Sequence, residues 1–180
     1  MKKRVIKIVS IILIIMLSIG YGIGICKINS RYKVEVEEIP FGVTYEVIDG
    51  VKMKVNGYRC LDKEELVKAY DYMVDYEGDI KAILVSVTYR NESGQTKGVA
   101  TYNNNIELVG YSNGIDPILY SVCNSFDLEF GLKNGEEKDI ILTYILLDFQ
   151  FTDGKWKQIE EEEFLLSTSR YPVKTIWRLR

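Results

Sequence analysis

Ile80-Lys81-Ala82-Ile83-Leu84-Val85-Ser86-Val87-Thr88-Tyr89-Arg90 is the stretch on which the fold turns. Successive side chains of an extended strand point to opposite sides. Ile83, Val85, Val87 and Tyr89 therefore fill one face, while Ile80, Ala82 and Leu84 fill much of the other. A strand that is apolar on both sides needs cover on both sides, which places it at the centre of a layered fold. The polar turn Asn91-Glu92-Ser93-Gly94 ends it.

Upstream, Val43, Tyr45 and Val47 alternate with Thr44 and Glu46, and Val51, Met53 and Val55 alternate with Lys52, Lys54 and Asn56. This is the two-residue period of half-buried strands, with Asp49-Gly50 as the turn between them. A two-residue loop would set Val47 opposite Lys52 and mix the faces. A three-residue loop with Gly50 left-handed pairs Val47 with Val51, Tyr45 with Met53 and Val43 with Val55, so the pattern selects a bulged hairpin. Asp62 and Glu65 have the spacing of a capping box, which predicts one short helix from about residue 62 to Met73 with Leu66, Val67 and Tyr70 on its apolar stripe.

Downstream, weaker strands are expected at Gly98–Tyr102, Ile106–Tyr111 and Ile118–Val122, and Phe126, Leu128 and Phe130 alternate with Asp127 and Glu129. The run Ile140–Phe151 is again apolar on both faces and reads as a second central strand. Asp153-Gly154 reverses the chain and sets Phe151 opposite Trp156. Glu163–Ser167 and Val173–Leu179 close the series around Tyr171-Pro172. About nine short strands separated by turn signals describe an antiparallel β-sandwich, mainly β with one short helix.

Ahead of this domain, the nineteen residues Ile8 to Cys26 carry no charge and follow Lys2, Lys3, Arg4 and Lys7. As a helix they reach roughly 28 Å, close to the thickness of a bilayer's hydrocarbon core. The basic flank predicts a cytoplasmic tail at 1–7, a transmembrane signal-anchor at 8–26, a polar stalk at 27–42 and an extracytoplasmic domain at 43–180. Cleavage is the competing reading, because Ser18, Gly20, Gly22 and Gly24 offer small residues at the spacing a signal peptidase needs. The length of the run and its isoleucine content favour retention, and with it a single-pass protein of the cell membrane; a cleaved chain would be secreted.

Beyond residue 26 the chain has 19 basic against 26 acidic side chains, a net charge of −7. That surface repels nucleic acid and anionic lipid headgroups. Histidine is absent, which removes the commonest general base and zinc ligand. No phosphate-binding loop, nucleophile elbow or metal-spaced cysteine pair is present, so no catalytic, cofactor-binding or metal-ligating residue and no cofactor is assigned. Cys60 and Cys123 are the two cysteines beyond the span, read either as a disulfide between sheets or as two buried thiols. Glu160-Glu161-Glu162-Glu163 reads as an exposed linker, and Tyr102, Tyr111 and Tyr120 as half-buried sheet residues with a binding surface as the sharper alternative.

Ile83-Leu84-Val85-Ser86-Val87-Thr88-Tyr89-Arg90-Asn91-Glu92-Ser93 resembles the strand, asparagine and small polar turn of immunoglobulin-like domains in exported bacterial proteins. Phe130-Gly131-Leu132-Lys133-Asn134-Gly135-Glu136 resembles the turn before their long strand, and Leu165–Lys174 is similar to the close of small single-span proteins of unknown function from Gram-positive bacteria. The resemblance implies an immunoglobulin-like antiparallel β-sandwich behind an N-terminal transmembrane helix and brings no active residues with it. The expected role is a membrane-tethered, non-enzymatic binding or accessory protein whose partner is another envelope protein or a glycan. The alternative is a small cell-envelope hydrolase using a carboxylate pair.

Overall fold

In the computed structural model, which describes residues 2–31, 34–72, 76–125, 127–169 and 172–179, the apolar N-terminal run lies within one 30-residue helix, α1 (Lys2–Arg31). Residues 1–35 form one unit of the chain and residues 36–180 the other. Leucines and isoleucines from Ile11 to Ile28 are exposed on all sides of α1. A β-branched sequence of this kind is a mediocre helix former in water. In hydrocarbon, where every backbone polar group must be satisfied within the segment, helix is the conformation left to it. Ile11–Ser30, 20 residues, is long and apolar enough to cross a membrane, a property that signal sequences share.

The second unit is a β-sandwich. In chain order its elements are β1 (Glu35–Ile39), β2 (Thr44–Ile48), β3 (Val51–Asp62), α2 (Lys63–Tyr70), β4 (Ile80–Asn91), β5 (Lys97–Ala100), β6 (Asn105–Leu108), β7 (Tyr111–Gly114), α3 (Pro117–Cys123), β8 (Glu129–Leu132), β9 (Glu137–Leu147), α4 (Asp153–Lys157), β10 (Phe164–Ser167) and β11 (Val173–Leu179). One sheet has the order β2-β3-β4-β9, the other β1-β11-β10-β6-β7, and β5 pairs with β8 in a two-stranded ribbon.

β4 is central, as its two apolar faces require. Ile83, Val85, Val87 and Tyr89 point into the core between the sheets, where they meet Phe164, Leu166, Trp177 and Leu179 of the facing sheet. Tyr45 meets Trp177 edge-on across the sandwich with ring centroids 6.0 Å apart. Ile80, Ala82 and Leu84 point the other way, into a smaller core built with Leu66 of α2 and Leu119 of α3. Helices of eight and seven residues are too short to hold in water by themselves. The fully buried Leu66 and Leu119 contribute roughly 1.5–3 kcal/mol each, more than the approximately 1 kcal/mol typical of a cap.

Those caps are nevertheless what set the helix starts. Asp62 accepts from the Glu65 amide while the Glu65 side chain accepts from the Asp62 amide, so the capping box forms as the spacing predicts. The helix stops at Tyr70, earlier than expected, because Asp71 turns left-handed at φ 51°; Met73 lies outside the described residues. Residues 118–122, expected as a strand, are instead the helix α3. Asp116 caps it through the Leu119 amide, and Pro117 occupies the first helical turn, where its missing N–H costs nothing.

Helix α3 also explains why β9 is not central. The run Ile140–Phe151 was expected to have a strand on each side, but β9 ends at Leu147 and has only β4 as a neighbour in its sheet. Segment 113–124 covers its free edge. Asn113 and the Asp116 amide donate to the carbonyls of Ile145 and Thr143, and the Asn124 side chain both accepts from and donates to Ile141. A side-chain amide thus stands in for a strand, and the edge that would otherwise invite pairing is closed. The outer face of β9 is buried by helix rather than by sheet.

Three further expectations shift. Residues 27–42 are not a stalk throughout: α1 continues to Arg31 and β1 joins the five-stranded sheet beside β11. Asp153-Gly154 opens the short helix α4 rather than a hairpin, although Phe151 and Trp156 do stack, at 5.8 Å and 28°. In the β2–β3 hairpin Tyr45 pairs with Met53 as predicted, while the extra residue sits as a bulge at Val47, Ile48 pairs with Val51, and Val43 stays outside the strand and exposed. Phe126 lies outside the described residues.

A second bulge, at Asn56 in β3, flips the phase of the strand. Before it Val51, Met53 and Val55 face the inner core; after it Tyr58 and Cys60 do. Cys60 pairs with Ile83 on that inner face, whereas Cys123 packs into the outer core on the other side of the sheet. Both thiols are free. The candidate disulfide between Cys60 and Cys123 is therefore not formed, since a bridge needs Cβ vectors that converge. Burial pushes both thiols up to about 11, so at pH 8 they are neutral and poorly nucleophilic.

The turns at one end of the sandwich converge on Asn91, which is fully buried. Its side-chain nitrogen donates to the carbonyls of Gln95 and Leu132 at 2.7 Å each, and its oxygen accepts from the Ser93 amide at 2.9 Å. Gly50, at φ +73°, lies against the same turn, where an added Cβ would stand 2.6 Å from the Ser93 Cα.

Asn91→Ala is expected to destabilise the protein by about 2–4 kcal/mol, since three backbone groups, the buried Leu132 carbonyl among them, lose their bond, and Gly50→Ala by at least about 2 kcal/mol from backbone strain and contact; urea denaturation reads both. Iodoacetamide at pH 8 should leave Cys60 and Cys123 unmodified until the chain is unfolded, and reduction should not raise the thiol titre. A titre that rises on reduction would show a bridge.

Candidate functional site

Where β3 ends and α2 begins, the chain turns away from the sheet and leaves a cleft of about 790 Å3 between α2, the start of β4 and residues 156–160. Val67, Ile80 and Ile159 give it an apolar floor, and Trp156 borders it. The indole is held from behind: Trp156 stacks on Phe151, and Phe151 packs on Tyr111 at 4.8 Å. The Tyr111 hydroxyl donates to Gln150 at 2.9 Å, and the Trp156 amide bonds to the Thr152 carbonyl. An aromatic row anchored in this way presents Trp156 at little entropic cost.

Charge of both signs surrounds the floor. Asp62, Lys63, Glu64 and Lys68 come from α2 and its cap, Asp79 and Lys81 from the entry to β4, and Lys157 and Glu160 from the far wall. Several of these groups already have work within the fold. Asp62 caps α2, Lys63 donates to the Tyr76 carbonyl, and Lys81 forms an ion pair with Glu160. Burial works to lower the Lys81 pKa, and the hydrogen bond and charge of Glu160 outweigh it, so the ammonium is held above its ordinary value. Glu64, Lys68, Asp79 and Lys157 have no ion pair among the described residues.

A second polar concavity lies on the outer face of the same sheet, beyond the reach of the helices. There Lys52 and Arg90 bond to Glu92, Arg90 reaches Glu137, Asn56 donates to Thr88, and Thr88 donates to Asp139. The Lys52 hydrogen bond holds the Glu92 carboxyl below its usual range. Lys52, Arg90, Glu92 and Glu137 are satisfied by one another, which is the behaviour of a solvated sheet face.

The residues singled out from the sequence are scattered by the fold. Of the glutamate run, Glu160 lines the cleft, while Glu163 pairs with Arg178, which also holds Glu38. Tyr120 is in the core, Tyr111 backs the aromatic row, and Tyr102 is exposed. Neither Cys60 nor Cys123 lines the cleft. Among the described residues no group of three or more His, Cys, Asp or Glu side chains is placed to hold a metal ion. Four carboxylates do reach the cleft, two of them engaged in the cap and the ion pair. Sequence reasoning placed Phe151 against Trp156 and the start of α2 at Asp62, but the cleft joins three separate segments, and no local spacing links Lys68 to Lys157.

No curated protein matches this sequence. Among solved structures, the chain is similar to an uncharacterized beta-sandwich protein from Clostridium difficile 630, with a TM-score of 0.50 and 14% identity over 82% of this chain and 97% of that one. It is also similar to a conserved hypothetical protein from Bacillus anthracis, with a TM-score of 0.54 and 12% identity over 78% of this chain and 94% of that one. At such identities the likeness is one of fold, the two-sheet sandwich described above. The model of the family described as Domain of unknown function (DUF5028) matches residues 29–175, from the end of α1 into β11. The chain belongs to the DUF5028 family.

Proposed function

We propose that this protein is a membrane-tethered, extracytoplasmic accessory protein that works by binding rather than by catalysis. The observation that carries the reading is α1. Its apolar side chains are exposed around the whole circumference from Ile11 to Ile28, and a helix apolar on all sides belongs in a core or in lipid. The flanking Lys2, Lys3, Arg4 and Lys7 support a cytoplasmic N-terminus. A sandwich behind that helix then stands outside the cytoplasmic membrane, acidic and repelled by anionic headgroups.

Binding is favoured over hydrolysis by what the carboxylates do. A glycosidase needs one carboxyl sheltered as acid and another as base or nucleophile, whereas Asp62 is held by a helix cap, Glu160 by Lys81, and the two left unpaired, Glu64 and Asp79, are exposed to solvent. An immunoglobulin-like use of the sandwich, with a sheet face or loop cluster as the recognition surface, fits the same reading.

The test is topological. Val109, 85% exposed at the β6–β7 turn, is replaced by cysteine in the full chain and offered a membrane-impermeant maleimide in intact protoplasts. Labelling without lysis, with the chain resisting carbonate extraction, is the expected result. Labelling only after lysis would place the domain in the cytoplasm and end the proposal, and a product found free in the medium at reduced mass would replace the tether with secretion.

A further inference from the structure

The cleft between α2 and residues 156–160 carries more than a general capacity to bind. Its volume of about 790 Å3 falls within the ordinary range for ligand sites, roughly 300–1,000 Å3. Ile80 and Ile159 close its floor from the core, at 2% and 1% exposed, and the apolar surface that a ligand can reach comes from the half-buried Val67 and Trp156. Above that floor stand two cations, Lys68 and Lys157, and two anions, Glu64 and Asp79, that pair with nothing charged among the described residues. The balance is local, because residues 27–180 as a whole carry seven more acidic than basic side chains.

We infer that this cleft binds an extended peptide segment that is apolar at its centre and carries charges of both signs, contributed by an envelope partner; the inference rests on the binding reading above. Charge complementarity selects the occupant. Nucleic acid and anionic lipid both require an excess of cations, which a balanced rim does not provide. A neutral glycan carries no charge to answer Glu64, Lys68, Asp79 and Lys157, which pair with nothing charged among the described residues. A peptide supplies an apolar side chain for the floor, a ring or aliphatic surface for Trp156, and both charges for the rim. Glu64 and Lys68 sit one turn apart on α2, so a strand laid along the helix meets an anion and a cation in succession.

Trp156 gives the experiment its signal. The protein has two tryptophans, and Trp177 is fully buried, so acrylamide quenching reports on Trp156. A phage-displayed random hexapeptide library is selected on the full chain in nanodiscs, with counter-selection on the Lys68→Glu/Lys157→Glu variant. Synthetic versions of the enriched peptides are then titrated against both proteins. The expected outcome is enrichment of sequences with an apolar centre flanked by acid and base, protection of Trp156 from acrylamide, and about tenfold weaker binding to the charge-swapped variant. Glu64→Lys serves as an independent second variant and is expected to weaken the same peptides by a few-fold.

Enrichment that is indifferent to both variants, or no enrichment, overturns the inference. So does protection of Trp156 by chitotetraose with the peptides silent, which would make the cleft a glycan site. Failure here together with surface labelling of Val109→Cys removes the cleft and leaves the tethered accessory protein standing. Cytoplasmic placement of Val109 removes that wider reading whatever the peptides do.

Discussion

The structure depends on a single constraint: β4 must be buried on both of its faces. Ile83, Val85, Val87 and Tyr89 need a second sheet, and Ile80, Ala82 and Leu84 need something on the opposite side. One strand therefore forms the wall shared by two cores. The outer cover reaches only part of the way along it. Where the helices end, the outward residues of β4 become Ser86, Thr88 and Arg90, and the face opens to solvent, with Arg90 paired to Glu92 and Glu137. Residue type along one strand thus marks how far α2 and α3 extend.

The edge of β9 and the turns at one end of the sandwich are closed by polar groups of the loops rather than by more strands. The free edge of β9 is satisfied by Asn113, Asp116 and Asn124, and the turns at one end are knotted through Asn91. Asparagine suits both tasks because its amide offers a donor and an acceptor in the geometry of a peptide group. Buried amides of this sort stabilise only when fully partnered, so they fix one arrangement of the segments they join. The same economy builds the cleft. Asp62 ends β3 and starts α2 in one residue, and the helix that leaves the sheet there supplies one wall while β4 and residues 156–160 supply the rest.

The motifs that pointed to a sandwich have physical work in it. The asparagine after the central strand is the hub Asn91, and Lys133-Asn134-Gly135-Glu136 is the turn that the Asn91 backbone meets, through the Glu136 carbonyl and the Gly135 amide. Period-two alternation located β2, β3 and β4, the turn signals around Tyr171-Pro172 separated β10 from β11, and the capping box located α2. The bulge at Asn56 was also written in the sequence, as the slip from Val51, Met53 and Val55 to Tyr58 and Cys60 beside Gly57, and its consequence is that the two cysteines face opposite cores. Pro117 after Asp116 was the overlooked signal for α3.

The apolar helix, the central strand, the pairing of Tyr45 with Met53 and the β-sandwich class were legible in the sequence alone, because these follow from the spacing of apolar side chains along a few consecutive residues. Packing in three dimensions was needed to set β9 at an edge, bring β1 into the sheet, separate Cys60 from Cys123 and gather Lys68, Lys157 and Trp156 into one cleft. A buried face looks the same in sequence whether a strand or a helix covers it, since the hydrophobic effect is non-directional and responds to area removed from water rather than to the element that removes it.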